Sequence, residues 1–404
     1  MSLVRGDAIH LPLADNTVDL IVTSPPYFAL RSYSDGGEHY DGQIGSEDTP
    51  QAFLEALWAV TAECRRVLKP SGSLWVNLGD KYAGGTPHTD QGSKMGAAAK
   101  WVGKKPDYQG VPAKSLMGLP WRYAIGCIDQ LDLILRAEVV WSKPNGLPES
   151  VTDRVRRSHE QWFHFTKEPR YFAAVDEVRE PHAPRTIEQH AVDVKAGLGR
   201  SESGFRGVGV EGRRSRSSTP APNPLGKLPG SVWTIPSEPL KVPDWLGVDH
   251  FAAFPQELPR RIILGWSPSG ICVECGEGRR PVVEKALAVR NRNVAPQRYM
   301  VDPNAETPGD YYANTEFQGS TEATITGYAC DCDQPTAPTR PAVVLDPFGG
   351  TGTVAMVARA LGRYPVHIDL SADYLKLARW RIYESGHASK TAERTNRERQ
   401  GVLL

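Results

Sequence analysis

The chain has 404 residues, and its 47 Lys plus Arg are balanced by 47 Asp plus Glu, so net charge gives no vote on a nucleic-acid partner and local charge must decide. That length is too great for one small core and fits one large catalytic domain with insertions, or two domains. No apolar run approaches the length that spans a bilayer, and the first residues carry no basic and apolar leader, so no membrane partner is expected and the cytoplasm is the expected location.

The first landmark is Asp7, which follows a short apolar start and sits at a candidate strand end. Val18 to Val22 reads as a buried parallel strand. Thr23-Ser24-Pro25-Pro26-Tyr27 closes it. Two prolines cannot continue a ladder, because neither has an N–H and both fix φ. The chain therefore leaves as a stiff loop at the carboxyl end of a parallel strand, where open α/β sheets place their sites. Ser24 offers a hydroxyl, Pro25 a carbonyl and Tyr27 an aromatic face, a set that can hold a planar, amine-bearing ring such as a nucleobase. Taken alone, the same five residues are equally a strand-ending turn with a buried tyrosine.

Residues 28–50 have little periodicity and read as a loop. Phe53, Leu54, Leu57, Val60, Cys64 and Val67 recur at helical spacing, which predicts a helix from Pro50 to Val67. Lys69-Pro70-Ser71-Gly72 is expected to end it, with Ser73 to Leu78 as the next strand. Residues 81–115, with Lys100, Lys104 and Lys105, read as a mobile basic loop. A helix from Pro120 to Leu131, a strand from Leu133 to Trp141 and another over His159 to Phe165 follow. Between 176 and 230 the aliphatics thin out, and Lys195, Arg200, Arg206, Arg213, Arg214 and Arg216 predominate. That composition fits either a disordered insertion or a loop that orders on phosphates.

A helix opens at Leu258 to Leu264, and residues 271–335 carry cysteines with little core-like periodicity. Six cysteines in a chain this long do not make a disulfide framework. Cys272 and Cys275 form a knuckle-like pair, and Cys330 and Cys332 form a second pair with one intervening residue. Four thiolates in two pairs suit a tetrahedral structural zinc, with free surface thiols as the alternative. Cys64 and Cys127 lie in apolar helical patterns and belong to the core.

Val343-Val344-Leu345-Asp346-Pro347-Phe348-Gly349-Gly350-Thr351-Gly352-Thr353 reads as strand, glycine turn and helix start. The glycines permit positive φ and close approach of a ligand, and the helix behind them presents N–H groups to an anionic group. The spacing is not that of the dinucleotide fingerprint. Asp369 closes the next strand, where an acid can accept bonds from ribose hydroxyls. A nucleoside bearing a carboxylate, such as S-adenosyl-L-methionine, fits both features. The last clear helix runs from Ala372 to Tyr383, and the alternation of strands with helices implies a largely parallel sheet covered on both faces.

The ordered pair Thr23-Ser24-Pro25-Pro26-Tyr27 and Asp346-Pro347-Phe348-Gly349-Gly350-Thr351-Gly352-Thr353 resembles the amino-group DNA methyltransferases, N4-cytosine or N6-adenine, in the permuted beta group where the catalytic motif comes first. The segments Arg66 to Ser73, Trp141 to Asn145, His159-Glu160, Phe165 to Lys167 and His250 to Pro255 carry the same resemblance. It covers most of 1–175 and 231–383, and not 80–115, 176–230 or 271–335. It implies a Rossmann-like α/β methyltransferase fold with a catalytic half at 1–175, a basic target-recognition insertion at 176–230 and a cofactor-covering segment at 231–270. A cysteine-containing insertion at 271–335, a cofactor half at 336–386 and a polar tail at 387–404 complete the division.

The resemblance also implies roles. Double-stranded DNA is the expected partner, with a cognate restriction endonuclease alongside, and S-adenosyl-L-methionine the cofactor. Tyr27 would stack on a flipped base, while Ser24 and the carbonyl between Pro25 and Pro26 would accept bonds from its amine. Asp346 and Phe348 would line the cofactor, with Gly349, Gly350, Thr351, Gly352 and Thr353 near its methionine portion. Asp369 would take the ribose and Asp7 the adenine end. Serine ahead of the prolines is more typical of N4-cytosine enzymes and aspartate of N6-adenine ones. C5-cytosine chemistry is disfavoured, since no Pro-Cys pair occurs. RNA methylation and non-catalytic DNA binding are the remaining alternatives.

Overall fold

The computed structural model describes residues 1–30, 34–35, 38–39, 43–84, 107–146, 148–188, 222–248, 253–286, 322–332, 334, 336–386, 391, 393 and 395. The basic residues Lys100, Lys104 and Lys105, those from Lys195 to Arg216, His250 to Ala252 and nearly all of the tail lie outside the described residues. Contacts divide the chain into a first unit, Met1–Val178 with Gly230–Arg280 and Tyr328–Leu404, and a second, Arg179–Pro229 with Pro281–Gly327.

In chain order the early strands are β1 (Ser2–Arg5), β2 (Val18–Thr23), β3 (Ser34–Asp35), β4 (Glu38–His39) and β5 (Leu68–Leu78). Then come β6 (Ile134–Ser142), β7 (His159–Thr166), β8 (Val232–Thr234), β9 (Ile271–Cys272) and β10 (Arg280–Ala286). The last are β11 (Glu322–Ala329), β12 (Thr339–Arg340), β13 (Val343–Asp346) and β14 (Tyr364–Asp369). Helices are α1 (Pro50–Val67), α2 (Leu119–Leu131), α3 (Glu257–Trp266), α4 (Thr353–Ala360) and α5 (Ala372–Tyr383).

One eight-stranded sheet organises the first unit, in the order β1-β14-β13-β2-β5-β7-β6-β8. Every residue of β2 is buried, because both faces of the sheet are covered. Alternation sorts the side chains. Ile21, Leu74 and Val76 join the core made with α1 and α2, while Leu20, Val22 and Trp75 join the core made with α3, α4 and α5. Thr49 caps α1 by accepting from the Ala52 N–H at 3.1 Å, with Pro50 as its first residue. Ser371 caps α5 in the same way through the Tyr374 N–H at 3.1 Å.

Two expectations need correction. The turn expected at Lys69–Gly72 is part of a strand: α1 passes at Leu68 directly into β5. Leu68 is fully buried opposite Val18, and Lys69 pairs with the buried Asp19 at 2.5 Å. A register shift between Val18 and Leu20 absorbs the irregular stretch. The second oxygen of Asp19 accepts the Val343 N–H at 2.8 Å, so one carboxylate fastens the starts of β2, β5 and β13. Removing one partner of so buried a pair costs about 3–5 kcal/mol.

The sheet is mostly parallel as expected, but β7 runs antiparallel to both β5 and β6. The general alternation of strands with helices implies a largely parallel sheet and gives no sign of this reversal. Among the described residues no helix lies between β6 and β7, so the chain can return beside β6 without a crossover.

In the second unit Glu180 and Lys227 exchange backbone bonds of 2.9 and 2.8 Å. Arg179 donates to the Gly226 carbonyl at 2.9 Å, and a ring nitrogen of His182 lies 2.8 Å from the Asn223 carbonyl. The segment 271–335, read as lacking periodicity, contains the paired strands β10 and β11.

Candidate active site

The loop leaving β2 starts a connection through α1 to β5 on one side, whereas β13 continues through α4 to β14 on the other. The neighbours β2 and β13 therefore form the topological switch point, where open α/β sheets bind ligands beyond their carboxyl ends. Thr23 and Asp346 end these strands, and the buried Thr23 hydroxyl donates to Asp346 Oδ1 at 2.7 Å. The proline loop and the glycine turn, separated by more than 300 residues in sequence, are thus joined side chain to side chain.

Beyond Thr23, Ser24 is half-buried and donates to Asn77 Oδ1 at 3.2 Å. The Tyr27 hydroxyl lies 2.8 Å from the same oxygen and 2.8 Å from Glu160 Oε2. A phenol has one proton, so these two acceptors share it. Asn77 is oriented by its own amide, which donates to the Gln161 carbonyl at 3.1 Å. Glu160 is ion-paired with Lys143, whose ammonium also sits 4.1 Å from the centre of the Trp141 ring. The Tyr27 ring packs against Gly79, where an added Cβ would come within 2.6 Å of Cε2. Pro25 is buried and Pro26 half-buried. Past the tyrosine, the Lys81 ammonium donates to the Ala29 carbonyl. Burial brings its pKa down to about 8.

On the other half, Asp346 is 2 % exposed. Burial raises its carboxyl to about 7, against the lowering effect of the Thr23 hydroxyl and the Phe348 N–H at 3.2 Å, and the Asp369 charge raises it further. Phe348 is half-buried. The turn then closes on β14: the Gly349 N–H donates to the Ile368 carbonyl at 2.9 Å and the Gly350 N–H to Asp369 Oδ2 at 2.7 Å. Asp369 Oδ1 accepts from Ser371 N–H at 2.9 Å. Gly350 and Gly352 have φ of 47° and 78°. At Gly349 the requirement is room: a Cβ would stand 2.2 Å from the His367 ring. That ring is fully buried with neither nitrogen hydrogen-bonded, and desolvation lowers its pKa to about 4. Arg381, buried beneath the turn, donates to the hydroxyls of Thr351 at 3.0 Å and Thr353 at 2.6 Å. Asp7 is exposed past the end of β1, accepts from the Ile9 N–H at 3.0 Å, and neighbours β14 through the Arg5 to Asp369 register.

The sheet thus brings Ser24 to Tyr27, Asp346 to Thr353 and Asp369 to one end of adjacent strands, with Asp7 one strand further out. Sequence reasoning gave no role to Thr23, Asn77, Lys143 or Glu160. Thr23, Lys143 and Glu160 lie inside stretches that carry the resemblance, and the signal for Asn77 is a polar residue set in the apolar run Trp75-Val76-Asn77-Leu78.

The DNA methylase family of N6 and N4 enzymes matches residues 18–273. The chain belongs to this family. Type II methyltransferase M.XycI of Xanthomonas campestris pv. cyanopsidis is 31% identical over 94% of this chain and 87% of its own length. M.Cfr9I of Citrobacter freundii is 29% identical over 93% and 86%. Among solved structures, the PvuII DNA methyltransferase (cytosine-N4-specific) matches with a TM-score of 0.50 and 15% identity, covering 99% of this chain and 93% of that one. This likeness speaks to the fold. Among the described residues of the DNA methylase, no helix is long and apolar enough to cross a membrane.

The four cysteines of the DNA methylase meet elsewhere on the first unit, with Cys272 buried, Cys275 exposed and Cys330 and Cys332 between these extremes. Cys64 and Cys127 are core residues as expected, and burial pushes the Cys127 thiol up to about 12.

Proposed function

We propose that this DNA methylase transfers a methyl group from S-adenosyl-L-methionine to the N4 amine of a cytosine flipped out of double-stranded DNA. We further propose that it acts at a specific site, in the bacterial cytoplasm, beside a cognate restriction endonuclease. The carrying observation is the Thr23–Asp346 bond, which couples an amine-accepting loop to a glycine turn at the switch point. The type II methyltransferase names of the relatives support the restriction–modification setting.

The residues fit the cofactor. A buried carboxyl near neutrality, Asp346, suits a cationic ligand, and the Gly349–Gly352 turn gives the backbone shape that precedes a helix N-terminus. When bound, the sulfonium supplies an activated methyl group. Asp346 and Phe348 would line the cofactor, the Gly349 to Thr353 turn would lie near its methionine portion, Asp369 would take the ribose and Asp7 the adenine end. The Gly350 and Ser371 N–H groups hold the Asp369 carboxylate in place at the end of β14.

The loop supplies the acceptors. Ser24 commits its single proton to Asn77 and so meets the target amine as an acceptor. With the Pro25 carbonyl it would accept bonds from the amine hydrogens and so draw the nitrogen lone pair out of conjugation. Tyr27 stacks on the base, its hydroxyl held by Asn77 and by Glu160, which Lys143 holds in turn. No covalent intermediate is required, so the chain's contribution is positioning and electrostatics. Serine ahead of the prolines supports cytosine over adenine.

The test is to incubate the protein with the cofactor and, in separate reactions, unmodified DNA and RNA of varied sequence, digest to nucleosides and identify methylated bases by mass spectrometry. N4-methylcytosine is expected. N6-methyladenine would overturn the choice of base while keeping the mechanism, and methylation confined to RNA, or none, would overturn the reading.

A further inference from the structure

We propose that Cys272, Cys275, Cys330 and Cys332 bind one structural zinc ion that clasps the root of the β10–β11 segment. Their four sulfurs all lie within 4.8 Å of one another. Cys330 and Cys332 are 3.5 Å apart and Cys272 and Cys332 3.9 Å apart, sulfur to sulfur. A zinc ion holding four thiolates at about 2.3 Å sets neighbouring sulfurs about 3.8 Å apart, the edge of that tetrahedron. A disulfide needs about 2.0 Å, so this spacing is that of metal ligands and not of a bonded pair.

The backbone around the thiols is built to hold them. Cys272 lies on β9, where its N–H donates to the Glu277 carbonyl at 2.9 Å and its carbonyl accepts from the Gly276 N–H at 3.0 Å, closing a tight knuckle. Gly276 sits at φ 73°, which favours glycine. β12 pairs antiparallel with β9 through Thr339 and Cys272, and the Val273 N–H donates to the Pro338 carbonyl at 3.1 Å. Arg279 Nη2 donates to the Ala337 carbonyl at 2.6 Å. The second cysteine pair therefore enters and leaves beside the first. None of the four carries a role in the methyl-transfer site, and an exposed thiol such as Cys275 has no packing reason to be there.

The consequence follows from connectivity. β10 starts five residues after Cys275 and β11 ends one residue before Cys330, so the metal would close the long stretch from 276 to 329 at its base. Closing a loop of that length removes chain entropy from the unfolded state, and four ligands leave no open position for chemistry. The ion is thus a clasp and not a catalyst.

The experiment is metal analysis of the full-length protein after exhaustive buffer exchange, with native thiol titration before and after a chelator. About one zinc per chain is expected, with four thiols becoming reactive only when the chelator is added. Cys275→Ser and Cys332→Ser should each lose the metal while calorimetric affinity for the cofactor stays within about twofold. Cobalt taken up in its place should show the spectrum of a tetrahedral thiolate site. Absence of stoichiometric metal, iron in place of zinc, or a mass two protons light from a disulfide would overturn the proposal. The wild-type metal content decides the matter even where a serine variant does not fold. None of these readouts depends on methyl transfer.

Discussion

Asp346 shows how one residue couples the two halves of the site. Its carboxyl is buried, with no ion pair among the described residues and with Asp369 as a charged neighbour, so its pKa stands at about 7. The folded value lies above the ordinary carboxylate value, so between about pH 4 and 7 the folded chain holds a proton that the unfolded chain has released. Stability from this group is full at the acid end and is lost as pH rises through about 7. A bound sulfonium reverses the preference, because a nearby positive charge favours the carboxylate. Calorimetric titration of cofactor should therefore show affinity rising between pH 5.5 and 8 in the wild type, with Asp346→Asn weaker and flat over that range. An identical pH dependence in the variant would assign the effect to another group. The sequence made Asp346 visible as the acid before a glycine turn. It could not show that the carboxyl is tied to Thr23, since that bond depends on β2 and β13 being neighbours.

At the scale of elements, the site is precise because rigid strand ends hold it. β5 delivers Asn77 to the Tyr27 hydroxyl, and Gly79 just past its end packs against the Tyr27 ring, while β7 delivers Glu160 to the same hydroxyl. In Gly79→Ala the new methyl group must displace the Tyr27 ring, and misplacement of about 1 Å costs on the order of 100-fold in rate. Single-turnover kinetics should show that loss with cofactor affinity within about twofold of wild type, and an unaltered rate would mean that the ring position is immaterial. Most helices and strands were legible from hydrophobic period alone. The start of β5 was not, because Lys69-Pro70-Ser71-Gly72 has turn chemistry and only the Asp19 pairing and the burial of Leu68 carry it into the sheet. Nor was the reversal of β7, since an apolar strand reads the same in either direction. Gly349 was legible as a glycine the fold needs, but for another reason: its missing side chain makes room for His367.

The eight-stranded sheet places two motifs that lie far apart in the sequence at one switch point, joined by the Thr23–Asp346 bond. Motif order was legible in the sequence, whereas the hydrogen-bonded relay from Ser24 and Tyr27 through Asn77 and Glu160 to Lys143 emerges only when β5, β6 and β7 are side by side. The proposed function divides the labour: the β2 loop would handle the base and the β13 turn the cofactor. The measurement that tests it most directly compares cofactor affinity and methyl transfer in Tyr27→Ala. The account predicts affinity within about threefold of wild type and transfer at least 100-fold slower, the scale expected when a reacting group loses its orientation. Equal loss of binding and transfer, or transfer at the wild-type rate, would contradict it.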